Sequence, residues 1–104
     1  MKFKVIILKE AQADFLESRD WYKNINPVLS KRFTNDFKST IKSIRENPHK
    51  FQLRYDDTRV RLLDKFPYLI HYTVENSIIY IKAIFHTSRD QTNWKLRNVN
   101  SKND

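Results

Sequence analysis

Three strand-like runs follow one another closely in the second half of the chain, and they restrict the possible folds more than any other feature. The runs fall near residues 59–64, 68–75 and 77–86. Each contains alternating or continuous apolar residues, and tight turns join them, which is typical of neighbouring antiparallel strands. Glu75-Asn76 suits a two-residue hairpin, because Asn76 can adopt the positive φ that such turns require. The last run is apolar on both sides, so we predict that it lies inside the sheet.

Two amphipathic helices are predicted between a short first strand and these runs. The apolar segment 3–8 predicts the strand. Apolar residues then recur at helical spacing over 10–25, where acidic residues in the first turn complement the helix dipole. Asn26 can cap a second helix over 27–46, with Pro27 at the favoured first position. The link between the helices is so short that we expect an antiparallel helical hairpin.

The order of these elements predicts an α+β fold, β-α-α-β-β-β, in which the helical hairpin packs on one face of a mostly antiparallel four-stranded sheet. This arrangement buries the apolar stripes of both helices. Residues 49–58 are expected to be irregular, with a turn at Asp56-Asp57. We assign residues 1–97 to a single domain, which suits a chain of 104 residues, and residues 98–104 to a polar tail.

The chain contains neither glycine nor cysteine, which excludes several kinds of site. Without glycine there is no P-loop, no dinucleotide-binding fingerprint and no nucleophile elbow. Any position with positive φ has to be filled by asparagine or aspartate. The candidates for such positions are Asn24, Asn47, Asp57 and Asn76. Without cysteine there is no disulfide or thiolate site, and the three histidines match no metal-ligand spacing, so we expect no metal and no cofactor.

The formal net charge of +8 favours a polyanionic partner, either nucleic acid or an acidic protein segment. Basic residues are distributed evenly, so the chain has no basic tail. A merely basic surface without such a partner is the alternative explanation. No apolar run approaches the length of about 18 residues that a membrane-spanning helix needs, so no membrane partner is expected.

Five side chains in the strand region and just beyond it are candidates for a functional site. His86, Arg89 and Trp94 follow the last strand, and Arg59 and Arg61 point to one face of the first meander strand. If that face lies opposite the helices, these groups could converge on one concave surface. Arginines and a histidine there could stabilise a phosphate and accept a proton, as phosphodiester cleavage requires. The alternative is that both arginines are solvated charges and that His86 completes a turn.

Two other residues have competing interpretations. His71 alternates with apolar neighbours in a strand, which favours a buried structural histidine over a catalytic one. Trp21 lies off the apolar stripe of the first helix and could contact a partner. Partial burial of Trp21 beside the second helix is the favoured interpretation. The carboxylates at positions 56, 57 and 64 are assigned structural roles.

Three short motifs, together with the order of the elements, resemble a known family. The motifs are DWY in the first helix, FPYLIHY leading the second meander strand, and AIFHTSRDQTNW closing the meander. Over about residues 3–97 the chain resembles the RelE/ParE superfamily, which contains the toxins of type II toxin–antitoxin modules, also called plasmid stabilisation proteins. The resemblance implies growth inhibition as the activity, the cytoplasm as the location, and a cognate antitoxin protein as a partner.

The superfamily has two functional branches. RelE-like members are ribosome-dependent endoribonucleases that cut mRNA, whereas ParE-like members bind DNA gyrase and lack the nuclease residues. RelE-like members carry an arginine after the tyrosine that opens the second meander strand, but here Leu69 follows Tyr68. They also tend to end in an arginine and a tyrosine, but no tyrosine follows Tyr80. The ending with His86 and Arg89 is more similar to the ParE-like branch.

The resemblance therefore favours a toxin that binds gyrase and is not an enzyme. The candidate target-binding residues are Arg59, Arg61, His86, Arg89 and Trp94. The alternative is a ribosome-dependent mRNA endoribonuclease, in which the first four of these residues would be catalytic. A second alternative is a basic binding module without toxicity.

Overall fold

Two helices and a five-stranded sheet form the protein over residues 2–89, which are the residues described by this computed structural model. The strands are β1 (Lys4–Ile7), β2 (Leu53–Tyr55), β3 (Thr58–Leu62), β4 (Tyr68–Glu75) and β5 (Ile78–His86). The helices are α1 (Lys9–Ile25) and α2 (Pro27–Glu46). This confirms the predicted α+β class and element order, with one strand more than the four predicted. The predicted boundary at residue 97 and the predicted tail lie outside the described residues.

The sheet is mostly antiparallel, in the order β1-β5-β4-β3-β2, with β1 parallel to β5. The interior position predicted for the last strand is confirmed, because β5 lies between β1 and β4. β1 runs beside β5 only as far as Ile81. Beyond that point α1 meets the free edge of β5, where Asp14 Oδ2 accepts a hydrogen bond from the Ile84 amide at 3.0 Å. Helix α1 is thereby fixed against the end of β5.

Strand β2 lies within the segment 49–58, which was predicted to be irregular. It is only three residues long, its pairing with β3 is irregular, and Leu53 keeps 52% of its surface exposed. Such a strand has no alternation of apolar and polar residues to reveal it, because it forms by pairing with β3 rather than by burying a face. The predicted turn at Asp56-Asp57 is confirmed, with positive φ at Asp56 instead of Asp57.

The short breaks in the chain are made by asparagines. Asn26 adopts an extended conformation between the two helices, and its Oδ1 accepts a hydrogen bond from the Val28 amide at 2.9 Å. Pro27 occupies the first position of α2, as predicted. Asn76 has φ of 55° in the turn between β4 and β5, which confirms its predicted conformation. The two turn residues are Asn76 and Ser77 rather than the predicted Glu75 and Asn76, because Glu75 still pairs with Ile78. Within residues 2–89, Asn24 and Asn47 do not adopt the positive φ considered for them.

The core is an aromatic cluster between the helical hairpin and one face of the sheet. Phe33 of α2 is fully buried, with ring centroids 5.0 Å from Tyr68 and 5.5 Å from Phe66. Tyr22 of α1 lies edge-on to Phe66 at 4.9 Å. Ile70 and Tyr72 of β4 belong to the same cluster. The helical hairpin therefore covers this helix-facing side of the sheet.

A buried carboxylate fixes the loop between β3 and β4 to α2. Asp36 is only 5% exposed and accepts hydrogen bonds from the amides of Asp64, Lys65 and Phe66 at 3.2, 2.8 and 3.0 Å. Three amide donors compensate the carboxylate for its lost hydration. The loop is thereby held in the conformation that delivers Tyr68 to the start of β4.

Candidate interaction surfaces

Arg59 and Arg61 lie on the helix-facing side of the sheet. Arg59 pairs across the strands with Tyr72, and Arg61 pairs with Ile70. Directly opposite residues in an antiparallel pair share one face, and both partners belong to the core. The condition for a common concave surface opposite the helices is therefore not met by Arg59 and Arg61.

The guanidinium of Arg59 holds the chain segment that follows α2. Its Nη1 donates to the Phe51 carbonyl at 2.7 Å and to the His49 carbonyl at 3.2 Å. Beside it, the Tyr72 hydroxyl donates to the Pro48 carbonyl at 2.7 Å. Burial raises the pKa of Tyr72 to about 12, against the opposing charges of Arg59 and Arg61. These contacts are structural, since together they fix the connection from α2 to β2.

Arg61 is engaged in a similar way. Its Nη2 lies 3.1 Å from Asp64 Oδ1, its Nη1 donates to the Leu62 carbonyl, and its guanidinium carbon is 5.1 Å from the Phe51 ring centroid. Its Nε is buried and has no hydrogen-bond partner in the described part of the chain. The guanidinium of Arg61 is therefore less able to pair with an anionic partner than that of an exposed arginine.

His86 organises the turn by which the chain leaves β5. Its Nδ1 accepts hydrogen bonds from the amides of Ser88 and Arg89, at 3.1 and 2.9 Å, so this nitrogen carries no proton. The Thr87 amide donates to the Pro67 carbonyl at 2.9 Å, which fixes the turn to the start of β4. The alternative that His86 completes a turn is thereby confirmed.

Arg89 is held between two aromatic rings. Its guanidinium carbon is 4.3 Å from the Trp21 ring centroid and 5.8 Å from that of Tyr68, and its Nη2 donates to the Tyr68 hydroxyl. Partial burial beside the second helix is the favoured interpretation of Trp21, and the side chain is half-buried, in contact with Arg89. Trp21 is 50% exposed and packs on Arg89, because α1 lies along the end of β5. We call Trp21, Tyr68, His86 and Arg89 the exit cluster.

The charge of Arg89 is not neutralised inside the described structure. Tyr68 is fully buried, and this burial raises its pKa to about 12, with Ser18 and Arg89 opposing the effect and Tyr22 adding to it. Tyr68 therefore stays uncharged at neutral pH. No carboxylate forms an ion pair with Arg89 among residues 2–89. Within this range its positive charge has no negative partner, so it can pair with an anionic one.

The predicted site residues thus fall into two groups on one side of the sheet. Arg61 is opposite Ile70, which is opposite Ile84, and His86 lies two residues further along β5. Strand spacing places the Cα atoms of Arg61 and His86 about 12 Å apart, with core side chains between them. Trp94 lies outside the described residues. That these side chains bind a target stays a prediction.

A groove that the sequence did not reveal runs between α1 and α2 and reaches Ile7 of β1. It encloses about 620 Å³. Its floor is apolar and includes Phe15, Leu16, Phe37 and Ile41. Its rim carries four cations, Arg19, Lys38, Lys42 and Arg45, and no carboxylate lines it within the described range. An apolar floor inside a basic rim matches the two faces of an acidic amphipathic helix.

The groove continues toward the hairpin tip in a second, more polar depression of about 480 Å³. The two share Arg19 and Thr34, and the second adds Lys23 and Lys31. Helical spacing in the sequence could indicate the row of cations on α2. The floor becomes visible only when the two helices are packed, because its residues come from both.

His71 is a structural residue, as predicted. It is 1% exposed, and its Nδ1 lies 3.2 Å from the Tyr55 hydroxyl on the sheet face opposite the helices. Lys82 sits at a β-bulge on the same face, where its Nζ donates to Thr58 Oγ1 at 3.0 Å and lies 5.5 Å from the Tyr55 ring centroid. These contacts bind β2 and β3 to the centre of the sheet.

Residues 2–89 contain neither a membrane-spanning helix nor a cluster of metal-binding side chains. No helix there is both long and apolar enough to cross a lipid bilayer. No cluster of three or more histidine, aspartate and glutamate side chains in this range could hold a metal ion.

The sequence and the fold place the chain in a class of toxins. Residues 5–91 match the family described as the ParE toxin of the type II toxin–antitoxin system parDE, so the chain belongs to the ParE toxin family. A solved structure titled "Chromosomal ParDE TA system from P. aeruginosa" has a similar fold. Its TM-score is 0.73 at 18% sequence identity, covering 82% of this chain and 96% of that one. No curated protein matches the chain in sequence.

Proposed function

We propose that this ParE-family toxin inhibits growth by binding DNA gyrase, without catalysing a reaction, and that a cognate antitoxin neutralises it. The family match supports the toxin part of this proposal. The observation that favours gyrase binding over RNA cleavage is that both arginines on β3 already have partners within this chain. A nuclease site of the predicted kind would use Arg59 and Arg61, but both guanidiniums are engaged within this chain. Arg59 donates to the Phe51 carbonyl, and Arg61 pairs with the Asp64 carboxylate.

Two further features support binding over RNA cleavage. His86 Nδ1 already accepts two amide hydrogen bonds, so this nitrogen is not free to take a proton from a substrate hydroxyl. Leu69 occupies the position at which RelE-like members carry an arginine. Arg89 is the remaining cation of the candidate set in the described range. Its position suits binding to a partner rather than acid–base chemistry.

The interhelical groove supports the antitoxin part of the proposal. An antitoxin helix with one apolar face would cover Leu16, Phe37 and Ile41, and its acidic residues would meet Lys38 and Lys42 on the rim. The net charge of +8 adds long-range attraction for such an acidic segment. The toxin would act in the cytoplasm, where gyrase and the antitoxin are present.

The test is induction of the chain without its antitoxin, followed by pulse labelling of protein synthesis and a supercoiling assay with purified gyrase. We expect growth arrest, loss of supercoiling activity and continued early translation. Early arrest of translation with unaffected supercoiling would establish the endoribonuclease alternative instead. Normal growth with unaffected gyrase would favour the non-toxic binding module.

The antitoxin site is tested separately with the product of the neighbouring reading frame. Leu16→Glu places a charge in the apolar floor of the groove, and we expect it to weaken antitoxin binding by about 30-fold or more. Leu53→Glu, at a similarly exposed leucine on β2, is the matched control and should bind normally. Equal affinity of the two variants would remove the groove from the proposal.

A further inference from the structure

Helix α1 presents two different surfaces on opposite sides of its axis. Leu16 and Arg19 face the interhelical groove. Trp21 and Ile25 lie roughly half a turn around the helix from these residues, at 3.6 residues per turn. The side of Trp21 and Ile25 is next to the exit of β5, where Trp21 contacts Arg89. A ligand in the groove would therefore leave this second side uncovered.

Arg89 is preorganised on that side. The amide hydrogen bond to His86 fixes its backbone, the Tyr68 hydroxyl fixes its Nη2, and the Trp21 ring covers its guanidinium. All of these partners are uncharged groups, and burial keeps Tyr68 protonated. A guanidinium held in one place by neutral groups loses little conformational entropy on pairing with an anion, which favours tight association.

Within residues 2–89, the exposed side chains that α1 presents beside Arg89 are apolar. Trp21 is 50% exposed and Ile25 is 62% exposed, four residues further along α1. Nucleic acid binding relies on several cations that track the phosphate backbone. Tryptophan and arginine in an apolar setting are instead the side chains that contribute most to protein–protein interfaces. The surface fits a protein segment that combines a carboxylate with an apolar side chain.

We infer that Trp21, Ile25 and Arg89 form the surface by which the toxin engages its protein target, with Arg89 pairing to a carboxylate and the other two packing against an apolar residue. We call these three residues the exit surface. This inference rests on the proposed function, because it requires a protein target. It adds that target binding and antitoxin binding use opposite sides of α1 and can be separated by mutation.

Three variants and three matched controls test the exit surface. The variants are Arg89→Ala, Trp21→Ala and Ile25→Glu. The controls alter exposed residues of β2 in the same way, as Arg54→Ala, Leu53→Ala and Leu53→Glu. Thermal unfolding verifies that each variant is folded, and Ile25→Glu alters a side chain too exposed to disturb the core. The readouts are growth arrest on induction and binding to purified gyrase holoenzyme.

We expect each exit-surface variant to bind gyrase about 30-fold more weakly or worse and to lose growth arrest. The controls should behave as the wild type does, and all variants should bind the antitoxin within about threefold of the wild-type affinity. If the wild-type chain arrests growth without binding gyrase, gyrase is not the target, but another protein target is still possible. Loss of growth arrest in the exit-surface variants would then test the inference. Full activity of the exit-surface variants beside an active wild type would overturn the inference but leave the proposed function standing.

Two further results would also overturn it. If the variants lose antitoxin affinity but keep growth arrest, the surface belongs to the antitoxin. If they lose affinity for a duplex DNA or single-stranded RNA oligonucleotide and not for gyrase, the surface binds nucleic acid. A wild-type chain that neither arrests growth nor binds gyrase would remove the proposed function and this inference together.

Discussion

Two arginine–tyrosine pairs on the same side of the sheet have different roles. Arg59 lies beside Tyr72, and Arg89 donates to Tyr68. Both tyrosines are fully buried, and burial raises the pKa of each to about 12. Arg59, however, donates to two main-chain carbonyls, whereas Arg89 stacks on an exposed tryptophan.

The difference shows that the partners of an arginine, rather than its position on a strand, indicate its role. A guanidinium that satisfies main-chain carbonyls stabilises the fold, and its loss leaves buried acceptors without donors. A guanidinium held by neutral side chains at the surface contributes little to the fold and keeps its charge for a partner. The variants below should separate stability from activity on this basis.

The largest effect on stability is expected at Asp36, which fixes the loop that also carries the partner of Arg61. Asp36→Ala leaves three amides without an acceptor, so the free energy of unfolding should fall by about 3 kcal/mol or more. Asp36→Asn keeps one acceptor oxygen, so its free energy of unfolding should fall by less. Urea denaturation measures both, and an unchanged midpoint for Asp36→Ala would show that the loop does not depend on the carboxylate.

The next largest effect on stability is expected at Arg59, and it should exceed the effect at Arg89. Arg59→Ala removes charge-assisted hydrogen bonds to two carbonyls and should lower the free energy of unfolding by about 2 kcal/mol. Arg89→Ala removes a surface cation–π contact and one hydrogen bond, and the free energy of unfolding should fall by only about 1 kcal/mol. Denaturation of the two variants under one set of conditions is the measurement, and the opposite ranking would refute the division of roles.

The tyrosines should make the protein sensitive to alkali. Their pKa values are higher in the folded than in the unfolded chain, where tyrosine has a pKa of about 10. Their contribution to stability is therefore complete below about pH 10 and is lost as the pH rises toward 12. Tyr68→Phe and Tyr72→Phe should each reduce the fall in unfolding free energy over this interval, as followed by denaturation at fixed pH. If a variant lost stability with rising pH as steeply as the wild type does, burial of that tyrosine would not be the cause of the alkaline sensitivity.

A stability change as small as that of Arg89→Ala is expected at His86. His86→Phe removes the acceptor of two amides at an exposed turn and should lower the free energy of unfolding by about 1 kcal/mol. The turn positions Arg89, so growth arrest should weaken by more than this stability change explains. Rescue of growth arrest by His86→Asn, whose oxygen can accept the same amides, would support a positioning role. Growth arrest that tracks stability alone would argue against it.

Much of the fold could be predicted from the sequence, because periodicity and turn residues act locally. The break at Asn26-Pro27 and the turn at Asn76 follow from the conformational preferences of those residues. Strand β2 could not be predicted, because it exists only by pairing with β3. The parallel position of β1 also depends on a partner more than seventy residues away in sequence.

Less of the candidate surfaces than of the fold could be predicted from the sequence. His86 and Arg89 were found because they follow an apolar strand, and their spacing is local. The inward direction of Arg59 was missed, since alternation distinguishes the two faces of β3 but does not tell which one meets the helices. The contact of Trp21 with Arg89 joins α1 to the end of β5, and no local pattern encodes it.

The most direct test is a supercoiling assay that titrates purified gyrase with Arg89→Ala and with Arg59→Ala, each at a temperature where it is fully folded. Arg89→Ala should raise the half-inhibitory concentration about 30-fold or more, because it removes the charge that meets the target. Arg59→Ala should stay within about threefold of the wild type. Inhibition by Arg89→Ala at the wild-type concentration, with inhibition lost in folded Arg59→Ala, would contradict the assignment of these two arginines.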